Sequence, residues 1–212
     1  MITIAIAKGR MQHDALALLA RAGIHLSAEQ VKSRRLSLRD ESGNYCFIFV
    51  KPGDVPVYVE HGIADCGVVG RDVLLESEAD LLAPLDLKIA RCRIVVAAVD
   101  PHVMTRAVGM LRVATKYSQI AAAHFGARAM PVEIISLSGS VELAPVLGLS
   151  DLIVDLVETG RTLQENGLTV IDEVTESTGR LVVNRASYQL KAEAIAKLVN
   201  SLRAALDGGE AA

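Results

Sequence analysis

Asp155, Glu158, Thr159, Gly160, Arg161 and Thr162 fall together in the stretch DLIVDLVETGRTLQENG, residues 151–167. Its apolar run from Leu152 to Val157 is broken only by Asp155. That pattern predicts a buried parallel strand with one carboxylate near its C-terminal end. Glu158-Thr159-Gly160-Arg161-Thr162 then leads into a short helical segment ending at Asn166-Gly167. Ligands of open α/β sheets bind at the carboxyl ends of strands. Small residues offering backbone N–H groups at a helix start suit a phosphate. Thr159 and Thr162 add hydroxyl donors, and Arg161 adds positive charge. Asp155 and Glu158 suit sugar hydroxyls or a Mg²⁺ ion rather than phosphate. A phosphate cradle flanked by two carboxylates describes a site for a phosphorylated sugar. The plain alternative is a strand–turn–helix with solvated polar side chains. The chain has no GxxxxGK[ST] and no GxGxxG after a strand, so this is neither a Walker loop nor a dinucleotide fingerprint.

Three more strand ends carry similar chemistry. The strand Ile2 to Ala7 ends in Lys8-Gly9-Arg10, two cations and a glycine that could receive phosphates or form a basic turn. Asp65 to Val69 predicts a strand followed by Gly70-Arg71-Asp72. Val132 to Leu137 predicts a strand followed by Ser138-Gly139-Ser140 and a helix over Val141 to Leu147. There Ser140 is either a plain N-cap or part of a second anion cradle.

The elements that position these residues alternate between strand and helix. The spacing predicts helices over Asp14 to Ala22, Val55 to Gly62 with Asp54 as N-cap, and Gln119 to Phe125. Residues 31–50 read as antiparallel strands around a turn at Asp40 to Asn44. Leu82 to Leu87 reads as a loop, and Ile89 to Val99 as a long strand able to cross between domains. Leu111 to Ala114, Thr169 to Val174 and Arg180 to Asn184 read as strands, with a turn over Glu176 to Gly179. Tyr188 to Leu206 predicts one long amphipathic helix, and the tail after Asp207 a frayed end. Gly62-Ile63-Ala64-Asp65 and Gly148-Leu149-Ser150-Asp151 precede two of the strands, a short internal repeat. It suggests two similar α/β lobes facing a cleft, where small-ligand sites are favoured. The expected division is residues 1–90 with 180–212, and residues 91–179.

Composition narrows the function. Hydrophobic residues make up 51 % of the chain, enough for a substantial core. Aromatics are only 3 % and net charge is −3, which argues against nucleic-acid binding. Cys46, Cys66 and Cys92 lack CxxC spacing and read as reduced, mostly buried thiols of a cytoplasmic protein. The N-terminus lacks the basic region of a signal peptide, and no apolar run reaches membrane-spanning length. The five histidines fall in no metal or base motif and read as surface or loop residues.

Taken in order, several pieces resemble the ATP phosphoribosyltransferase family in its short form. They are Lys8-Gly9-Arg10, Asp54-Val55-Pro56-Val57-Tyr58-Val59, the run from Gly62 to Asp72, Ala114-Thr115-Lys116-Tyr117, the run from Ser138 to Pro145, and residues 151–167. Lys51 departs from the pattern, since many relatives carry an arginine there. The resemblance implies two lobes like the type II periplasmic binding proteins, with the active site in the cleft between them. It implies transfer of 5-phosphoribosyl from phosphoribosyl pyrophosphate to N1 of the adenine of ATP, releasing pyrophosphate, as the first step of histidine biosynthesis. On this reading Asp155 and Glu158 are catalytic. Thr159, Gly160, Arg161, Thr162, Ser138, Gly139 and Ser140 bind phosphoribosyl pyrophosphate. Lys8, Gly9, Arg10, Arg71 and Asp72 serve ATP or pyrophosphate. Mg²⁺ is implied as cofactor, carried mainly by substrate phosphates. Also implied are a homodimer and a hetero-octamer with a regulatory subunit resembling a histidyl-tRNA synthetase. With its last helix close to residue 206, the chain is expected to be of the short form, without the long form's histidine-binding domain. Competing expectations are a type I phosphoribosyltransferase, which usually carries two adjacent acids, and a ligand-binding module of periplasmic type. An effector-binding regulatory domain is a third, though no helix-turn-helix is evident.

Overall fold

A computed structural model describes residues 1–27, 29–30, 35–106 and 109–208. The chain divides into two compact units, Met1–Ala90 with Thr178–Ala212, and Arg91–Ser177. In unit 1 the described strands form a six-stranded sheet of order β2-β3-β1-β4-β11-β5. These are β1 (Ile2–Ala7), β2 (Ser37–Arg39), β3 (Tyr45–Val50), β4 (Cys66–Gly70), β5 (Leu82–Asp86) and β11 (Gly179–Val183). Unit 2 has a five-stranded sheet of order β10-β6-β9-β7-β8. Its strands are β6 (Cys92–Ala98), β7 (Leu111–Thr115), β8 (Val132–Ser136), β9 (Leu152–Val157) and β10 (Thr169–Ser177).

The two sheets repeat one arrangement. The run β3-β1-β4-β11-β5 matches β8-β7-β9-β6-β10, with parallel pairing in the first three strands and antiparallel pairing beyond. β6 follows β5 in sequence yet pairs in unit 2, and β11 follows β10 yet pairs in unit 1. The tetrapeptides ending in Asp65 and Asp151 do the same job in both sheets. Asp65 N–H donates to the Thr3 carbonyl at 2.9 Å, and Thr3 N–H donates back to Asp65 Oδ2 at 2.9 Å. Asp151 N–H donates to the Arg112 carbonyl at 2.9 Å, and Arg112 N–H donates to Asp151 Oδ2 at 2.8 Å. Each aspartate thus clamps the start of a strand to its parallel neighbour.

Both sheets are covered on both faces, which is why their central strands read as continuous apolar runs. In unit 1, α1 (Arg10–Arg21) and α9 (Ala192–Asp207) pack Leu18, Leu198 and Leu202 against Ile4, Ile6, Phe47 and Leu181. On the other face, α2 (Asp54–Glu60) packs Val55 and Val59 against Ala5, Val69 and Val182. Gly67 permits that approach, because a Cβ there would stand 2.7 Å from Val55 Cγ1. In unit 2, α5 (Ser118–Gly126) buries Ile120 and Phe125 against Ile94, Val113 and Val154. Val141, Ala144 and Leu163 cover the opposite face, against Val95, Ala97, Ala114 and Ile153. Each such large aliphatic or aromatic side chain contributes about 1.5–3 kcal/mol on burial.

Several boundaries differ from the sequence reading. Leu82–Asp86 is a strand, not a loop, and Pro84 is tolerated because β5 lies at the sheet edge. The predicted turn at Glu176 is strand as well, since β10 continues to Ser177 against β6. The chain returns to unit 1 at Thr178, where the sequence reading put the return at Arg180. The predicted long C-terminal helix is two, α8 (Arg185–Leu190) and α9, separated at Lys191 with φ −122°. α8 is started by Asn184, whose side chain accepts the Ser187 N–H. α1 starts at Arg10 rather than Asp14, and Gly53, not Asp54, precedes α2. The expectations for residues 31–34 and for the tail after Gly208 lie outside the described residues. Cys66 and Cys92 are buried and Cys46 half-buried. His124 corrects the reading of the histidines. It is buried in α5, with Nε2 3.1 Å from Asp172 and Nδ1 3.0 Å from the Arg128 guanidinium.

Candidate active site

In unit 2 the parallel strands β7, β8 and β9 end at one edge of the sheet. This places Thr115-Lys116-Tyr117, Ser138-Gly139-Ser140 and Glu158-Thr159-Gly160 side by side there. α5, which follows β7, lies on one face of the sheet. Leu163 of α7 (Arg161–Glu165), which follows β9, lies on the other. Connections therefore leave neighbouring strands β7 and β9 toward opposite faces. Such a topological switch opens a crevice outside the strand ends, the favoured ligand position in open α/β sheets.

Asp155 sits on β9 at this edge, between Ile153 and Val157, on the face that Val141 and Leu163 cover. Its Oδ1 accepts the N–H of Leu156 at 2.8 Å. Burial pushes its carboxyl above the usual aspartate value. The Leu156 N–H and the Lys116 ammonium oppose that shift, and Glu142 adds to it. The register Thr115↔Val154 sets Lys116 opposite Asp155. Lys116 and Glu142 are site neighbours that strand-by-strand reading did not single out. The available signal was that Lys116 follows directly on a strand parallel to β9.

Beyond β9, Glu158 and Thr159 are exposed, and Gly160 takes φ 81°, a left-handed turn open to glycine. Thr159 Oγ1 accepts the Arg161 N–H at 3.5 Å, and Thr162 lies in the first turn of α7. Arg161 is exposed at the same turn, and its Nε donates to Glu165 at 2.7 Å, along the helix. The expected Ser140 cap is also absent. Ser140 takes φ 50°, Glu142 precedes the short helix α6 (Leu143–Val146), and no side chain caps it. Ser138, Gly139 and Ser140 remain an exposed loop at the same strand edge.

Unit 1 repeats the switch between β1 and β4. α1 follows β1 on one face, while Val73 and Leu74 of α3 (Arg71–Ser77) follow β4 on the other. Lys8-Gly9-Arg10 and Arg71-Asp72 stand at these two strand ends. Lys8 N–H donates to the Val50 carbonyl at 2.9 Å, which also brings Lys51 to this edge. Lys8, Gly9 and Arg10 are exposed, and Gly9 has φ 92°. Asp72 is buried, its carboxylate pressed against Gly70 where any Cβ would collide with it.

The family model described as HisG: ATP phosphoribosyltransferase matches residues 51–204. The chain belongs to the ATP phosphoribosyltransferase family. An ATP phosphoribosyltransferase of Caldanaerobacter subterraneus subsp. tengcongensis is 50 % identical, covering 99 % of both chains. One from Sorangium cellulosum is 50 % identical over 98 % of this chain and 97 % of its own. Among solved structures, the ATP phosphoribosyl transferase (HisG:HisZ) complex from Thermotoga maritima superposes with TM-score 0.83 and 36 % identity, covering 99 % of each chain. The periplasmic aliphatic sulphonate binding protein SsuA from Escherichia coli shares the fold alone, with TM-score 0.61 and 12 % identity over 97 % of this chain and 72 % of its own. The expected α/β architecture of type II periplasmic binding proteins is therefore correct. The family's reaction is transfer of 5-phosphoribosyl from phosphoribosyl pyrophosphate to N1 of the adenine of ATP, the first step of histidine biosynthesis. The chain is an enzyme, a transferase of this family.

Proposed function

We propose that the unit 2 crevice is where this chain holds phosphoribosyl pyrophosphate, and that ATP attacks it there. The carrying observation is the half-buried Asp155 at a topological switch, next to the glycine turn Thr159–Thr162. The sugar 5′-phosphate takes backbone N–H groups and hydroxyls of Thr159, Gly160 and Thr162, with Ser138, Gly139 and Ser140 alongside. Asp155 and Glu158 accept hydrogen bonds from ribose hydroxyls. As pyrophosphate departs, positive charge develops on the ribose ring, and these carboxylates stabilise it. Preorganised electrostatics of this class contributes several kcal/mol. Adenine N1 already carries a lone pair, so no general base is needed, and positioning supplies much of the rate. Lys8, Arg10 and Arg71 are assigned to the phosphates of ATP or pyrophosphate, with Gly9 and Asp72 shaping their turns.

Among the described residues no group of three or more His, Cys, Asp or Glu side chains is arranged to hold a metal ion. Mg²⁺ commonly keeps substrate phosphates and water as most of its ligands. That is the role we assign it, and it would neutralise the leaving pyrophosphate. No helix among the described residues is long and apolar enough to cross a membrane. We place the enzyme in the cytoplasm, as a dimer that joins a histidyl-tRNA synthetase-like subunit in a hetero-octamer. The Thermotoga maritima HisG:HisZ complex supports a second kind of subunit as partner.

The test is ultraviolet absorbance where N1-substituted adenine differs from ATP. Purified chain is mixed with ATP, phosphoribosyl pyrophosphate, Mg²⁺ and a pyrophosphatase. A rise requiring both substrates establishes the reaction from this chain alone. A rise only after a synthetase-like subunit is added makes this the catalytic half of a two-subunit enzyme. No rise in either case, from folded protein, overturns the reading.

A further inference from the structure

The unit 2 crevice is lined by carboxylates, yet its substrate is a polyanion. Asp155 and Glu158 stand on or just beyond β9, and Glu142 faces Asp155 from the start of α6. Other cations around the crevice are held by acids of their own. Arg161 donates to Glu165 at 2.7 Å. Arg93, opposite Val157 on β6, pairs with Glu173 of β10 at 3.0 Å. Lys116 differs, for among the described residues it makes no ion pair. Its ammonium lies over the Tyr117 ring, 4.8 Å from the centroid.

Its backbone is fixed more tightly than an exposed lysine usually requires. Thr115 is fully buried and donates Oγ1 to the Val154 carbonyl at 2.6 Å. The same oxygen accepts the Tyr117 N–H at 2.8 Å. Tyr117 is buried beneath α5. Lys116 is thus pinned at both neighbours, with an exposed side chain rooted on an aromatic face. Cation–π seating of this kind orients an ammonium without neutralising it.

The order of groups along the sheet edge suggests the role. The turn Thr159–Thr162 leads from β9 toward α7 and on to β10, which lies beyond β6. Asp155 is on β9, and Lys116 is one strand further, on the β7 side. Neighbouring strands are about 4.8 Å apart. The 5′-phosphate and the C1 pyrophosphate of the sugar project from opposite ends of the ribose ring. A ribose on Asp155 with its 5′-phosphate on the turn therefore sends its C1 substituent toward Lys116.

We propose that Lys116 is a substrate-binding residue, whose ammonium takes an oxygen of the pyrophosphate arm. This rests on the reading of the Thr159–Thr162 turn as the 5′-phosphate site. The test compares binding of phosphoribosyl pyrophosphate, with Mg²⁺, against ribose 5-phosphate, which lacks the arm. Calorimetry is run on the parent chain, Lys116→Met, Lys116→Arg and the double variant Thr159→Ala/Thr162→Ala. Lys116→Met should bind phosphoribosyl pyrophosphate about tenfold more weakly and ribose 5-phosphate unchanged, as expected for one lost charge-assisted contact. Lys116→Arg should restore most of the loss, and the double variant should weaken both ligands. Parental affinity in Lys116→Met, or equal loss of both ligands, overturns the proposal. A double variant that binds both ligands normally overturns the turn assignment itself, and this inference with it. Thermal melts check each variant, and Lys116→Gln replaces Lys116→Met if the latter melts early.

Discussion

Thr115 donates its hydroxyl to the backbone carbonyl of Val154 at 2.6 Å, across the β7–β9 boundary. One buried side chain therefore ties together the two strands whose ends form the crevice. Replacing it by valine keeps shape and removes the bond. That removes one donor to the Val154 carbonyl and the side-chain acceptor of the Tyr117 N–H. Thr115→Val should cost about 1–3 kcal/mol of stability, the usual penalty for unsatisfied buried groups. Chemical denaturation should register this as a lower midpoint with unchanged slope. KM for phosphoribosyl pyrophosphate should rise with it, because Lys116 loses its anchor.

The Thr159–Thr162 turn makes a separate prediction. Both threonines are exposed, so their hydroxyls carry little of the fold. Thr159→Ala/Thr162→Ala should leave the melting temperature near that of the parent. It should raise KM for the sugar diphosphate by roughly tenfold or more, from two lost hydrogen bonds to a charged group. Steady-state kinetics decides the point, and unchanged kinetics would remove the turn from the active site.

Asp155 should show a trade between function and stability. Burial raises its folded-state pKa above the ordinary 3.8, so the folded protein resists ionising it. For an acid shifted upward, stability is lost as pH rises past the unfolded value. Asp155→Asn should therefore be more stable than the parent at neutral pH, and no more stable at pH below 3.8. The same variant should lose most activity, since the amide no longer carries the charge. Melting curves at several pH values, beside an activity assay, test both halves.

Asp65 predicts the opposite sign. Burial alone would raise its pKa, but Lys191, the Thr3 N–H and the Ser187 hydroxyl together hold it below 3.8. Lys191 Nζ lies 2.8 Å from the carboxylate, and Ser187 Oγ donates at 2.7 Å. A depressed acid contributes stability above its unfolded value and loses it as pH falls through the folded one. Asp65→Asn should therefore unfold more readily than the parent at neutral pH. The gap between them should close as the buffer is taken well below pH 3.8. Acid titration followed by circular dichroism reads the two curves.

The sequence by itself determined the apolar runs of β1, β4, β7 and β9, and the polar turns that follow them. Burial on both faces leaves strands apolar throughout, so Leu152 to Val157 is legible without its partners. Lone Asp155 in that run, and glycine at position 160, are local signals of a site. The repeated tetrapeptides ending in Asp65 and Asp151 were also legible, because each makes the same strand clamp. The edge strand β5 was not. Leu82–Asp86 carries a proline and becomes a strand only by pairing with β11, far along the chain. Only the tertiary structure decided which strand ends are neighbours. Lys116 and Asp155 stand 39 residues apart in sequence, as do the partners Thr115 and Val154, and nothing local to either announces the pairing. Long-range register is set by which faces bury together, and that information lies in the whole sheet rather than in any one segment.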